Sequence, residues 1–210
     1  MLIIGAKGFA KEVLEIFQQL ENTENLAFYD DVNDDIGDYL FNVFPILKDK
    51  EEVKEFFLKN GNQFTIGIGN PVLRYKLCKK FCQLGGSYVS SISPLAQIGS
   101  YDVKIGEGTN VLVNSIFSNS VTLGKGCIVY YNVLITHDCV IGDFVELSPG
   151  VTLLGHVQVG SFTQIGANST VLPKVKIGEN VIVGAASVVT KDIPDNCLVV
   201  GTPARIIKKF

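Results

Sequence analysis

The chain has 210 residues and a mass of 22.8 kDa, enough for one large domain or two small ones with a sizeable core. Hydrophobic residues make up 47%, which excludes wholesale disorder. A net charge of −3 and a pI near 5.4 argue against nucleic acid as a partner, and no apolar run is long enough to span a membrane.

The charge is uneven. Residues 1–60 hold 13 acids and 6 bases, whereas residues 157–210 hold 3 acids and 6 bases. The basic end suits an anionic ligand, or is simply a solvated face. The opening "MLIIGAKGFAKEVLEI" lacks a charged region before its apolar stretch and a small-residue cleavage site, so no secretory leader is expected. The five cysteines form no metal-type C-x-x-C pair, and a reduced, cytoplasmic chain is the expectation.

In chain order, "LIIG" reads as a short buried strand. "GFAKEVLEIFQQL" has helical spacing, with Phe9, Val13, Ile16, Phe17 and Leu20 on one face. "LAFYDD" is a second strand ending in two acids. "DKEEVKEFFLKN" is a helix, "QFTIGIGN" a strand, and "PVLRYKLCKKFCQLG" a helix with Pro71 in its first turn. Strands alternating with helices predict a small parallel sheet of Rossmann-like α/β type over residues 1–87.

The glycine loop of that domain is "GAKGFA", with Lys7 where a dinucleotide loop has its middle glycine, which argues against a bound dinucleotide. Asp30 and Asp31 end the second strand, where an acid can accept bonds from ribose hydroxyls. "GIGNPVLR" places Asn70 at a helix start suited to an anion, with Arg74 one turn later. A plain packing domain with ordinary strand–helix turns is the alternative.

From Ile105 to Pro194 the chain divides into fifteen hexads, IGEGTN to VTKDIP. Every first position is Ile, Val, Leu or Phe, and every fifth is Thr, Ser, Cys, Val or Ile. At this apolar content fifteen such first positions arise by chance roughly once in a hundred thousand sequences. Gly106, Gly124, Gly142, Gly160 and Gly178 recur every 18 residues, so three flat sides make one coil, with a corner where the backbone needs unusual angles or has no room for Cβ. Upstream, Ile92 and Ile98 fit the frame if one residue is inserted near Tyr101. The prediction is a parallel β-helix of hexapeptide repeats over residues 88–195, with first and fifth positions pointing inward, followed by a tail, 196–210. Cys127 and Cys139, at fifth positions, are core fillers.

"ITHDCVIG" interrupts this wall. His137 is at a third position and points away from the core. Stacking by 18 puts Asn119 below it and Gly155 above it, leaving a notch against which a ligand could lie. A histidine there can take a proton from an attacking amine or hydroxyl. Asp138 has Ser120 below and His156 and Lys174 above; it either raises the basicity of His137 or forms a surface ladder with His156 and Lys174.

The ordered set "IIGAKGFAKEV", "DD" after the second strand, "IGIGNPVLR", "THDCVIGDFVELSPG" and "VVGTPARIIKK" resembles, over the whole chain, the two-domain sugar acetyltransferases. That family includes sialic acid O-acetyltransferases and nucleotide-linked amino-sugar N-acetyltransferases. The resemblance implies a left-handed β-helix, acetyl-CoA as co-substrate with no metal, a homotrimer, and active sites between adjacent β-helices. It implies His137 as general base supported by Asp138. It implies a sugar nucleotide across Gly5, Ala6, Lys7, Gly8, Asp30, Asp31, Gly69, Asn70 and Arg74, and coenzyme A along Glu146, Gly155, Ala167 and Ala185. Two positions depart: relatives often carry a second histidine where this chain has Glu146, and an asparagine where it has Tyr130. Acetyl transfer to the amino group of a nucleotide-linked amino-deoxy sugar is the expectation. O-acetylation of a sialic acid is its rival among enzymes, and a non-catalytic sugar-nucleotide-binding scaffold its rival of another class.

Overall fold

The structure, a computed structural model, describes residues 1–210. The first part is an α/β layer: β1 (Leu2–Ile4), α1 (Gly8–Gln19), β2 (Ala27–Tyr29), β3 (Tyr39–Leu40), β4 (Phe44–Leu47), α2 (Lys50–Asn60), β5 (Gln63–Ile66), α3 (Pro71–Gln83) and β6 (Ser87–Tyr88). The sheet order is β3-β4-β2-β1-β5-β6, with only β3 antiparallel. β1 and β2 are buried throughout, as strands covered on both faces must be. Asp49 caps α2, accepting from the amides of Glu51 and Glu52; Asn70 caps α3, accepting from that of Leu73. No helix is long and apolar enough to cross a membrane.

From Ser91 onward the chain is a left-handed β-helix of two-residue strands on three faces. The first face includes Asn110–Val111, Ile128–Val129, Glu146–Leu147 and Gln164–Ile165. The second includes Ile116–Phe117, Leu134–Ile135 and Thr152–Leu153. The third includes Thr122–Leu123, Val140–Ile141 and Gln158–Val159. Up to Val189 stacked strands pair residues 18 apart, except that Ser91 pairs with Asn110 and Gln97 with Ile116, 19 apart. The inserted residue therefore lies between Ile98 and Lys104.

All fifteen fifth positions are buried, and all first positions but Ile105. Polar fifth-position side chains are satisfied inside the prism. Thr109, Ser115, Thr163 and Ser169 each donate to the carbonyl fifteen residues on, and Cys127 and Cys139 point their thiols at the same relative carbonyl. Burial holds the Cys127 thiol up at about 12, so it is inert.

Every sixth residue from Asp102 to Ala186 has a left-handed φ, between 52° and 72°. This residue, the fourth of each hexad from IGEGTN to VGAASV, turns the corner. A left-handed conformation costs a non-glycine residue roughly 1–2 kcal/mol, least for Asn and Asp, and six of the fifteen positions are Asn or Asp. The glycines repeating every 18 are not in that conformation; a Cβ on Gly106 would lie 2.5 Å from the carbonyl carbon of Gly124. Close stacking, not backbone angle, selects them.

Two expectations need correction near the end. The last coil is two residues short: Ile177 pairs with Ile193 and Ile182 with Leu198, both 16 apart, so the hexad frame stops before Pro194. The expected tail is an antiparallel hairpin, Cys197–Gly201 with Ala204–Lys209, which extends the first face.

The α/β layer rests on the first face. Thr65 Oγ1 donates to Asn110 Oδ1 at 2.9 Å, and Asn110 Nδ2 donates to the Ile66 carbonyl at 2.8 Å. Phe9 meets Tyr130, and Tyr75 meets Phe144 and Phe162, with ring centroids 5.0, 5.4 and 5.8 Å apart. Phe144 and Phe162 occupy the edge between the third and first faces.

Candidate active site

His137 and Asp138 form part of the corner between the second and third faces. Both are exposed, with 58% and 44% of their side-chain surface free. His137 Nδ1 and Asp138 Oδ2 are 2.7 Å apart. A carboxylate only accepts, so Nδ1 carries the hydrogen and, in the neutral ring, Nε2 keeps its lone pair. The left-handed φ of 60° at Asp138 turns its carboxylate onto the preceding ring. One coil above, His156 Nε2 lies 3.7 Å from the same Oδ2, and the two imidazoles meet edge to face with centroids 5.2 Å apart. Asp138 thus contacts the imidazoles of both His137 and His156, while Lys174 makes no ion pair with it.

The notch expected above His137 is not open. A Cβ on Gly155 would lie 2.6 Å from His137 Cε1 and 2.8 Å from Nε2, so the imidazole itself occupies the space. Gly155 seats the ring; it does not leave a vacant slot beside it.

The carboxyl ends of β1, β2 and β5 open onto a cleft lined by Ile4, Ile68, Leu73 and Leu77, with Gly5 and Asp31 beside them. Lys7, at the N-cap of α1, gives its helix no side-chain cap and instead pairs with Asp35 at 2.7 Å. The first-turn amides of α1, beginning at Gly8, have no side-chain cap and suit an anion. Asp31 Oδ2 accepts from Tyr29 Oη at 2.7 Å and Lys80 Nζ at 3.0 Å, while its other oxygen accepts from no other residue. Gly69 and Asn70 precede α3.

Two candidates change role. Asp30 is buried, and its carboxylate accepts from the amides of Ala6, Val32 and Asn33 and from the Asn33 side chain. It ties the glycine loop to the loop after β2. Arg74 is fully buried. Its Nε donates to the Gly126 carbonyl at 3.0 Å, its Nη2 to those of Phe144 and Val145 at 2.8 and 3.2 Å, and its Nη1 to that of Gly69. The guanidinium clamps the α/β layer to the β-helix and has no donor to offer a ligand. The helical spacing places Arg74 correctly on α3 but does not show that its face of the helix meets the prism.

Glu146 stands on the first face. A Cβ on Gly69 would lie 3.7 Å from its Oε2, which accepts from Gln164 Nε2 at 3.0 Å. Burial pushes the Glu146 carboxyl above the usual glutamate range, against the hydrogen bond from Gln164 and the positive charge of Arg74. Ala167 and Ala185 lie on the edge between the first and second faces, while Gly155 lies on the His137 edge. In one chain, therefore, His137 and the Gly69–Glu146 surface sit on opposite sides of the prism.

Such a molecule offers a fixed proton acceptor on a stiff edge and, separately, an open α/β cleft: a transferase scaffold whose two halves are both present. Comparison with known proteins agrees. The PglD N-terminal domain family matches residues 1–81, and the bacterial transferase hexapeptide family (six repeats) matches residues 156–191. PerB from Caulobacter crescentus, solved with CoA and GDP-perosamine, is 31% identical, with 99% of this chain and 96% of that chain covered and a TM-score of 0.89. WeeI from Acinetobacter baumannii AYE is 31% identical over 98% of both chains, with a TM-score of 0.88. The acetyltransferase domain of PglB from Neisseria gonorrhoeae FA1090, solved with acetyl coenzyme A, is 28% identical over 98% of both chains, also at 0.88. The Caulobacter perosamine N-acetyltransferase is also represented by variants in which one histidine is replaced by asparagine or alanine. No curated protein matches the sequence. The chain belongs to the two-domain hexapeptide-repeat sugar acetyltransferases, which use acetyl-CoA.

Proposed function

We propose that the chain transfers the acetyl group of acetyl-CoA to the amino group of a nucleotide-linked amino-deoxy sugar, in the cytoplasm. The observation that carries the reading is the His137–Asp138 dyad on the free edge of a β-helix whose opposite face bears an α/β cleft. The Asp138 carboxylate holds the hydrogen on Nδ1, so Nε2 takes the proton as the amine attacks the thioester carbonyl; the C–S bond breaks, the proton passes from Nε2 to the departing thiolate, and coenzyme A leaves as the thiol. A thioester is already activated, so positioning supplies most of the catalysis. The match to a protein solved with GDP-perosamine supports a sugar nucleotide over a free sialic acid.

The α1 N-terminus and Asp31 are the groups best placed for the nucleotide, since Asp30 and Arg74 are engaged elsewhere. The opposed faces support a site completed by a second copy, in which the His137 edge of one chain meets the Gly69–Glu146 face of the next, with coenzyme A between the Gly155 edge and the Ala167–Ala185 edge. A closed ring of three prisms satisfies this head-to-tail contact.

Labelled acetyl-CoA offered with nucleotide-linked amino sugars and, separately, with sialic acids tests the reading. Incorporation into an amide only when the nucleotide is present is the expected result. Incorporation into an alkali-labile ester on a free sialic acid would overturn it.

A further inference from the structure

The two histidines of the chain and Asp138 converge outside the prism. His137 Nδ1, Asp138 Oδ2 and His156 Nε2 offer ligand atoms that all lie within 4.8 Å of one another. The backbone sets this arrangement: the His156 amide donates to the His137 carbonyl at 3.0 Å, and left-handed φ angles at Asp138 and His156 aim both side chains to the same side. Two imidazoles and one carboxylate are the donor set of zinc and its neighbours. Ligands of one tetrahedral zinc ion lie about 3.3 Å apart, given metal–ligand bonds of about 2.0–2.1 Å. Two of the three separations, 2.7 Å from Asp138 to His137 and 3.7 Å from Asp138 to His156, lie on either side of that value, and the third is within 4.8 Å. All three side chains are about half exposed in the single chain, so small rotations suffice to bring them onto one ion.

We propose that this triad is a binding site for Zn2+ or a similar divalent transition ion, and that its occupation switches off acetyl transfer. The second half rests on the role assigned to His137 above. An ion on Nδ1 takes the lone pair there and leaves the single ring hydrogen of the neutral imidazole on Nε2. That nitrogen then has no lone pair for the proton of the attacking amine, and Asp138 is diverted from the ring to the ion. The fourth coordination position stays open to water.

Zinc titration calorimetry on the full chain, with Co2+ absorption as a second readout, tests the site. Cys78 and Cys82 are free thiols one turn apart on α3, so a Cys82→Ser background removes that pair as a competing site. One ion per chain is expected, with affinity falling at least tenfold in His156→Asn; asparagine tolerates the left-handed φ at 156, so that variant folds. With chelator present His156→Asn retains turnover, and it needs at least tenfold more zinc for half-inhibition than its parent. Equal zinc affinity in parent and variant, or no stoichiometric binding, overturns the proposal. A chain that binds zinc as described but acetylates no amino sugar keeps the site and removes the assigned reaction. A chain that acetylates and binds no zinc does the reverse.

Discussion

The imidazole of His137 lies where a side chain at position 155 would have to be, 2.6 Å from the Cβ that Gly155 lacks. The ring is thereby held flat against the coil above, with Asp138 fixing its edge. Gly155→Ala should displace the ring without harming the prism, because the obstructing atoms end an exposed side chain and Gly155 has no left-handed φ. We expect kcat to fall about a hundredfold, with a melting temperature within about 3 °C of the parent. Unchanged kcat would show that ring placement is not set by this contact.

Arg74 should behave as a structural residue. Arg74→Met leaves the carbonyls of Gly126, Phe144 and Val145 buried without their donor. The expected loss is about 3 kcal/mol, lowering the melting temperature by about 6–12 °C. A ligand-binding arginine would instead raise KM for the sugar nucleotide and leave melting unchanged.

Glu146 gives a pH signature. Its carboxyl is held above the ordinary value of 4.5, chiefly by burial. The folded chain therefore binds that proton more tightly than the unfolded chain does. The resulting stabilisation is complete below the unfolded value and lost as pH rises through the folded one. Glu146→Gln keeps an acceptor for Gln164 and removes the titration. The melting temperature of the variant minus that of the parent should increase as pH is raised from about 4 to about 8. A flat difference would mean that Glu146 is solvated in solution.

Much of the molecule is legible in the sequence because a β-helix repeats its side-chain environment. Given the hexad frame, the inserted residue before Lys104, the buried first and fifth positions and the outward direction of His137 follow from register. What register omits is where one surface meets another. It does not show that Arg74 turns toward Gly126 or that Asp30 is spent on amides of its own loops; both depend on how the α/β layer sits. It presents Gly155 as an absence of side chain without showing that the neighbouring ring fills the gap. The shortened last coil is hidden because "VTKDIP" keeps an apolar first and a β-branched fifth position. A step of 18 from Ile177 reaches Asp195, whose carboxylate would turn inward, which is costly without a partner. Ile193 takes the inward place instead, and Asp195 Oδ1 accepts from the Glu179 amide at 2.8 Å on the outside.

Mixed assemblies should reveal the opposed faces. His137→Ala removes the base; Gly69→Glu places a second carboxylate beside Glu146 without backbone strain and closes that face. Each variant alone should be inactive. Trimers formed at random from equal amounts should regain about a quarter of parental activity, since an intact edge meets an intact face at about one interface in four. No recovery, in mixtures shown by native mass spectrometry to contain both chains, would place the whole site within one chain.

The most direct measurement is the single-turnover rate of acetyl transfer by His137→Asn, with acetyl-CoA and the nucleotide-linked amino sugar both saturating. The account predicts a rate lower by about a hundredfold or more, with coenzyme A binding and melting temperature unchanged. A variant that keeps a third or more of the parental rate would contradict it.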